Sequence, residues 1–303
     1  MTATSEETAQ RVLLVHAHPD DETIGTGATM AYYVARGAGV TLITCTLGEE
    51  GEVLVPELAQ LAADQADQLG GWRITELAGA MKPLGVTDHR FLGGPGRFRD
   101  SGMMGTPANE KPRAFWRAEK DPEVFAAAVT EAVKVIREVR PQVLVTYDPN
   151  GGYGHPDHIM AHRVTMAAYD AAADPNWPGV DAPAWQVSKL YWSVLPKSVL
   201  QQGIDALKAA GTNFFGVESV DDLPMGTPDS DVTTAIPASE FGEAKMDAMR
   251  AHATQITVDG PFFALSNSVG MQAMGIEYYQ LVRGQVGELG ESGHESDLFS
   301  GIE

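Results

Sequence analysis

Arg11-Val-Leu-Leu-Val15, running straight into His16-Ala-His-Pro-Asp-Asp21, decides the architecture. A short, continuous apolar run marks a strand buried on both faces, which is the habit of parallel sheets covered by helices. From Glu22 to Arg36 the chain is rich in Ala, Thr and Gly and predicts a helix stopped by Gly37. The pattern then repeats. Val40–Thr46 reads as a second buried strand, followed by the polar loop Gly48-Glu-Glu-Gly-Glu52. Residues 57–84 predict a helix interrupted near Gly70-Gly71, and His89–Leu92 a short strand. Phe125, Val129, Val133 and Ile136 lie at helical spacing within Pro122–Arg140. Pro141-Gln-Val-Leu-Val-Thr-Tyr147 is the next strand, leading into Asp148-Pro-Asn-Gly-Gly-Tyr-Gly-His-Pro-Asp-His158 and a helix over Ile159–Ala173. Strand, loop, helix and strand in alternation predict an α/β fold: a Rossmann-like, doubly wound and mainly parallel sheet.

Beyond about residue 175 the alternation weakens. Leu190–Leu195 predicts a strand, and Ser198–Ala210 and Ser239–His252 predict helices, giving C-terminal embellishments on the sheet. Residues 1–10 read as a disordered leader, 11–283 as a single domain, and 284–303 as an acidic, Gly-rich tail. Gly93 to Ala118 forms a long connection rich in Gly, Pro and Arg, and connections of that length usually carry function or lack order.

With 303 residues, 44% of them hydrophobic, the chain can bury a large core without a disulfide or structural metal. Cys45 is its only cysteine and sits in an apolar run, which predicts an inert buried thiol and excludes an intrachain disulfide. Forty-one acidic residues against 21 basic give a net charge of −20, and no Lys/Arg block interrupts them. That balance argues against nucleic acid and anionic membrane as partners. No stretch approaches membrane-spanning length and no signal-peptide core precedes residue 15, so a cytoplasmic location is expected.

Chemistry concentrates in two windows. Five of the eight histidines fall at His16 and His18 and at His155, His158 and His162, each group accompanied by aspartates and each following a buried strand. Open α/β sheets bind ligands beyond the carboxyl ends of their strands, so topology brings two clusters distant in sequence to one edge. Histidine and carboxylate donors suit zinc with a position left open for water, and two histidines with a carboxylate equally suit ferrous iron. Bound zinc brings the pKa of water to about 7. Adjacent aspartates such as Asp20 and Asp21 can divide the work, one holding metal while the other faces water as a base. His162 stands four residues after His158, but Ile159 occupies the place where a zinc protease helix carries glutamate, so His162 is expected to be structural. The first strand also lacks a G-x-G-x-x-G loop, which argues against a dinucleotide module.

Ala17-His-Pro-Asp-Asp-Glu22 resembles the signature of the LmbE-like (PIG-L type) N-deacetylase family, and His155-Pro-Asp-His158 is similar to that family's second motif. Thr44–Glu52, Gly93–Gly102, Tyr147–His155 and Ala251-His-Ala-Thr-Gln255 resemble its mycothiol-pathway branch, so the likeness spans about residues 11–256. The resemblance implies a zinc amidohydrolase, with Fe²⁺ an alternative in the cell, acting on a small amino-sugar/inositol substrate. It implies His18, Asp21 and His158 as metal ligands and Asp20 as general base. His155 is implied to stabilise an oxyanion or protonate the leaving amine, with Asp157 orienting it. Tyr153, among Gly151, Gly152 and Gly154, is implied to polarise the substrate carbonyl from a loop able to swing. Arg73 and Asp100 match positions that contact sugar and inositol hydroxyls. The implied reaction is removal of the N-acetyl group from GlcNAc-inositol. Cleavage of an amide in a larger conjugate of the same pathway, or deacetylation of another N-acetylglucosamine conjugate, are the alternatives.

Overall fold

A computed structural model describes residues 9–209, 211, 216–258 and 275–302. Most of the leader expected at residues 1–10 lies outside these residues. Seven strands form one sheet: β1 (Arg11–His16), β2 (Gly39–Thr44), β3 (Asp88–Phe91), β4 (Val143–Tyr147), β5 (Lys189–Val194), β6 (Thr234–Pro237) and β7 (Ile276–Arg283). Their order is β3-β2-β1-β4-β5-β7-β6. The first five strands in that order are parallel, with Leu14 of β1 flanked by Leu42 and Val145, and β7 and β6 are added antiparallel.

The helices divide between the two faces as the alternation of side chains along β1 requires. Leu13 and Val15 point to a core completed by α3 (Pro122–Val139) and α5 (Pro156–Ala173), including Val129, Val133, Met160 and Val164. Val12 and Leu14 point to the opposite core, built with α1 (Asp21–Ala35), α2 (Leu69–Leu84) and α7 (Gly242–Ala251) through Met30, Leu77, Met81 and Ala248. A strand buried on both faces has no polar side, which is why β1, β2 and β4 are nearly uninterrupted apolar runs. Two further helices among the described residues are α4 (Gly151–Gly154) ahead of α5, and α6 (Lys197–Ala209) after β5. No helix among the described residues is long and apolar enough to cross a membrane.

Three differences from the sequence-based expectation have physical causes. The helix expected over 57–84 is a 3₁₀ segment, Pro56–Leu61, followed by turns and then α2, which runs through Gly70-Gly71 without a break. A Cβ on Gly70 would stand 2.7 Å from Glu49 Cγ and 3.0 Å from Leu47 Cβ, so this glycine permits close approach of α2 to the β2 loop instead of ending the helix. Second, β6 and β7 were absent from the expected pattern. Thr-Ala-Ile-Pro is too short to show a period, and β7 alternates intermediate and buried positions without the apolar continuity of the parallel strands. Third, residues set apart by composition as an acidic tail enter the core: Leu298 and Phe299 are buried, and Glu295 is fully enclosed. Glu295 accepts hydrogen bonds from Lys189 Nζ at 2.6 Å, Tyr191 Oη at 2.9 Å and Thr234 Oγ1 at 2.7 Å.

Candidate metal centre

In the strand order, β1 lies between β2 and β4, and the connections leaving β1 and β4 run to helices on opposite faces. A crevice opens at such a switch point beyond the strand ends. His18, Pro19, Asp20 and Asp21 leave β1 there, and Asp148 to His158 leave β4 beside them. Both histidine clusters therefore meet, as the topology argument anticipated. The nitrogen atoms of His18, His155 and His158 lie within 4.8 Å of one another, and all three residues are buried.

Hydrogen bonds fix which nitrogen of each ring is free. His158 Nδ1 lies 3.1 Å from Gly151 O, an acceptor, so Nδ1 carries the proton. That leaves a lone pair on Nε2, which is buried, has no hydrogen-bond partner among the described residues, and stands 3.3 Å from Asp21 Oδ2. His18 Nε2 lies 3.2 Å from Asp157 Oδ2, which places the other ring nitrogen, Nδ1, 3.2 Å from the same Asp21 oxygen. Two imidazole nitrogens facing one carboxylate oxygen need a positive centre: a proton, or a cation shared by all three. His18, Asp21 and His158 thus offer donor types that suit a divalent cation, with Asp157 behind His18 as carboxylates stand behind metal-binding histidines, while the trios whose ligand atoms all lie within 4.8 Å of one another are His18, His155 and His158, and His18, Asp100 and Asp157. Gly151 is required at its place: its φ is 64°, and a Cβ there would lie 2.5 Å from His158 Cβ.

The electrostatics follow from this crowding. Burial opposes charge on His18, but Asp100, Asp157 and Asp21 around it outweigh burial and raise its pKa well above the usual value. Burial likewise works against the Asp21 carboxylate, and His158 and His18 overcome it and hold its pKa well below normal. Asp20 goes the other way. Burial lifts its carboxyl to about 6, with Arg73 opposing and Asp21 adding to the rise. His155 falls to about 3, through burial and then through His18 and His158. Its Nδ1 accepts from Asp157 N at 3.2 Å, so this neutral ring keeps its proton on Nε2.

Asp157 was expected to orient His155, and the structure shows a different arrangement. Its carboxylate faces His18 and accepts from Ser101 N at 2.9 Å and from Ser101 Oγ at 2.5 Å, while only its backbone N–H reaches His155. The expected substrate contacts also have protein partners. Arg73 is buried, donating to Gly48 O at 2.9 Å, to Asp20 Oδ2 at 2.9 Å and to Pro19 O. Asp100 accepts from Glu50 N at 3.1 Å and Gly102 N at 2.8 Å, and its Oδ1 lies 3.6 Å from His18 Nε2. Tyr153 is 39% exposed, its ring 5.0 Å from that of His158, so it sits at the mouth of the crevice. His16 lies behind the cluster, between Tyr147 Oη at 3.2 Å and Thr26 Oγ1 at 2.9 Å, and burial lowers its pKa to about 4. His162 Nδ1 donates to Tyr147 O at 2.9 Å, a structural contact as expected. Cys45 is buried and its thiol pKa pushed up by that burial, which fits an inert residue.

Several residues of the site were not singled out from sequence. Ser101 lies inside the Gly93–Gly102 run, whose composition pointed to function without saying which member carried it. Glu22 and His252 are joined by a 2.9 Å contact across the molecule, and both are fully buried. Each lies within a quoted motif, but nothing in one sequence pairs them. Asp20 has φ 120°, a positive-φ conformation that costs a non-glycine residue about 1–3 kcal/mol.

The layout is that of a hydrolase domain with a His/Asp metal centre at the switch point of a parallel sheet. The chain belongs to the PIG-L family, whose model, described as GlcNAc-PI de-N-acetylase, matches residues 13–169. It is 64% identical over 296 residues to the 1D-myo-inositol 2-acetamido-2-deoxy-alpha-D-glucopyranoside deacetylase of Geodermatophilus obscurus, covering 97% of this chain and 98% of that one. The protein of the same name from Acidothermus cellulolyticus is 60% identical over 294 residues, covering 96% and 95%. Solved structures sharing the fold include the N,N'-diacetylchitobiose deacetylase of Pyrococcus horikoshii, at 18% identity and TM-score 0.60 over 91% of this chain and 85% of that one. The 4-carboxy-2-hydroxymuconate hydratase of Pseudomonas putida has the fold too, at 17% identity and TM-score 0.59 over 92% and 98%. A hydratase and a deacetylase on one fold place the burden of any functional argument on the site.

Proposed function

We propose that the protein hydrolyses the N-acetyl group of GlcNAc-inositol, giving GlcN-inositol and acetate, as a cytoplasmic step of mycothiol assembly. The observation that carries the chemistry is the pair of ring nitrogens, His18 Nδ1 and His158 Nε2, converging on Asp21 Oδ2 at 3.2 and 3.3 Å. The substrate comes from the relatives that match nearly the whole chain. Zinc is the metal we propose, since two imidazoles and one carboxylate form a catalytic zinc set that leaves a position open, a set that ferrous iron also accepts. When bound, such an ion supplies Lewis acidity toward the acyl oxygen and toward water.

The protein's own groups supply the rest. Asp20, with a pKa near 6, is ionised at neutral pH yet basic enough to take a proton from the attacking water. Arg73, 2.9 Å from its Oδ2, fixes the carboxylate in place. Charge then develops on the amide oxygen. His155, neutral and protonated on Nε2, suits donation of a hydrogen bond to that oxygen better than donation of a full proton, and Tyr153 at the mouth offers a second donor. The C–N bond breaks as Asp20 returns its proton to the departing amine.

Zinc-loaded protein incubated with GlcNAc-inositol is expected to release free amine and acetate in equal amounts. It should prefer this substrate over a mycothiol S-conjugate by at least about tenfold in kcat/KM, or about 1.4 kcal/mol. The reverse preference would move the protein to the amidase reaction with the same site. Absence of turnover with either zinc or ferrous iron would overturn the proposal.

A further inference from the structure

We infer that Glu22 and His252 are positioning residues for Asp20, acting through the backbone peptide that joins Pro19 to Asp20. The inference rests on the general-base reading of Asp20 given above. The orientation of one peptide plane sets φ of the residue that follows it, and this plane is held at both ends. At one end Arg73 Nη2 donates to Pro19 O. At the other, Asp20 N donates to Glu22 Oε2 at 2.8 Å. With the plane pinned, Asp20 is kept at φ 120°, where an aspartate does not rest unaided. Relaxation to negative φ would rotate the Asp20 side chain away from the crevice.

Glu22 can hold that N–H only if its own carboxylate is fixed. Its other oxygen, Oε1, receives Thr23 Oγ1 at 2.6 Å and His252 Nε2 at 2.9 Å. His252 in turn sits at the rigid end of α7, its N–H bonded to Met249 O at 3.1 Å and its carbonyl taking Gln255 N at 2.9 Å and Ile256 N at 2.8 Å. The ring makes no other polar contact among the described residues, since Nδ1 is buried without a partner. The ring's one hydrogen bond among the described residues is therefore to Glu22. The same segment braces the Arg73 side of the grip. Thr254 donates through N at 2.9 Å and Oγ1 at 2.7 Å to Glu76, one turn along α2 from Arg73. Thus Ala251-His-Ala-Thr-Gln255, far from the metal centre in sequence, fastens both handles of the strained peptide.

The test compares His252→Ala, His252→Gln and His252→Asn, loaded with zinc, with GlcNAc-inositol as substrate. Glutamine can present an N–H near the place of Nε2, whereas the shorter asparagine reaches only the Nδ1 place. Alanine and asparagine are expected to lower kcat by about tenfold to hundredfold, the scale of a displaced catalytic group, with KM and zinc content near wild type. Glutamine is expected to recover most of the loss. Equal kcat in all variants, or equal loss in glutamine and asparagine at equal melting temperature, would overturn the inference. If alanine prevents folding, the glutamine–asparagine pair decides. Wild-type protein inactive on this substrate would instead count against the proposed function, so the two failures are distinct.

Discussion

Asp157 offers the sharpest quantitative test of the metal centre. Its side chain is fully enclosed and accepts three hydrogen bonds, from His18 Nε2 at 3.2 Å, Ser101 N at 2.9 Å and Ser101 Oγ at 2.5 Å. Asp157→Asn can keep all three, because an amide oxygen turned toward His18 and Ser101 N leaves the amide nitrogen facing Ser101 Oγ, which can reverse its role. Only the negative charge is lost. Asp157→Ala removes the acceptors altogether, leaving His18 Nε2–H and two Ser101 donors without partners and freeing the imidazole to turn or change tautomer. Replacing a carboxylate behind a metal-binding histidine costs about 10–100-fold in metal affinity, which is about 1.4–2.7 kcal/mol. Alanine is expected at the upper end of that range and asparagine at or below the lower end. Competition of each variant with a zinc chelator of known affinity measures the difference directly. Unchanged zinc affinity in Asp157→Ala would refute the claim that this carboxylate sets which His18 nitrogen faces Asp21.

Asp20→Ala is expected to lose about 10²–10⁴-fold in kcat while binding zinc normally, and near-native turnover would remove Asp20 as the base. His158→Ala, in contrast, is expected to lose zinc itself, read by metal analysis after dialysis, and full occupancy would remove it from the ligand set. Glu295→Ala leaves Lys189 buried and unpaired, so chemical denaturation should show a loss of about 3–5 kcal/mol, while Glu295→Ala combined with Lys189→Met should recover part of it. Burial alone would raise the Glu295 pKa, but Lys189 and its other donors hold it below normal, so its stabilisation is present above the unfolded value of about 4.3 and fades as pH falls through the folded one. Wild-type stability should therefore fall more steeply than that of the double variant below about pH 4, and parallel acid limbs would contradict the assignment.

The parallel half of the sheet was legible because burial on both faces writes itself as continuous apolar runs. Each strand up to β5 was found within two residues of its place. The meeting of His18 with His158 followed from those strands and from the rule that their carboxyl ends share an edge. What sequence could not supply was pairing. Asp157 stands two residues after His155 along the chain but turns its carboxylate to His18, because α5 begins at Pro156 and carries the side chain inward. The resemblance implied a substrate contact for Arg73, yet nothing in the residues around it announces the grip on Pro19 and Asp20. β6 and β7 escaped notice because a short edge strand and a half-exposed neighbour have neither apolar continuity nor a clean period of two. The last residues were judged by charge, and their two buried apolar residues, Leu298 and Phe299, were outvoted by the acids around them.

The contact between Glu22 and His252 spans 230 residues of chain. Closing so long a loop is entropically slow and comes late in folding, after local and neighbouring-strand pairings have formed. A chain emerging from the ribosome presents β1, β4 and the three residues proposed to hold the metal well before α7 exists, and domains begin to organise from the N-terminal side during synthesis. On the positioning role inferred above, the segment that fixes Asp20 is thus the last part of the site to be made.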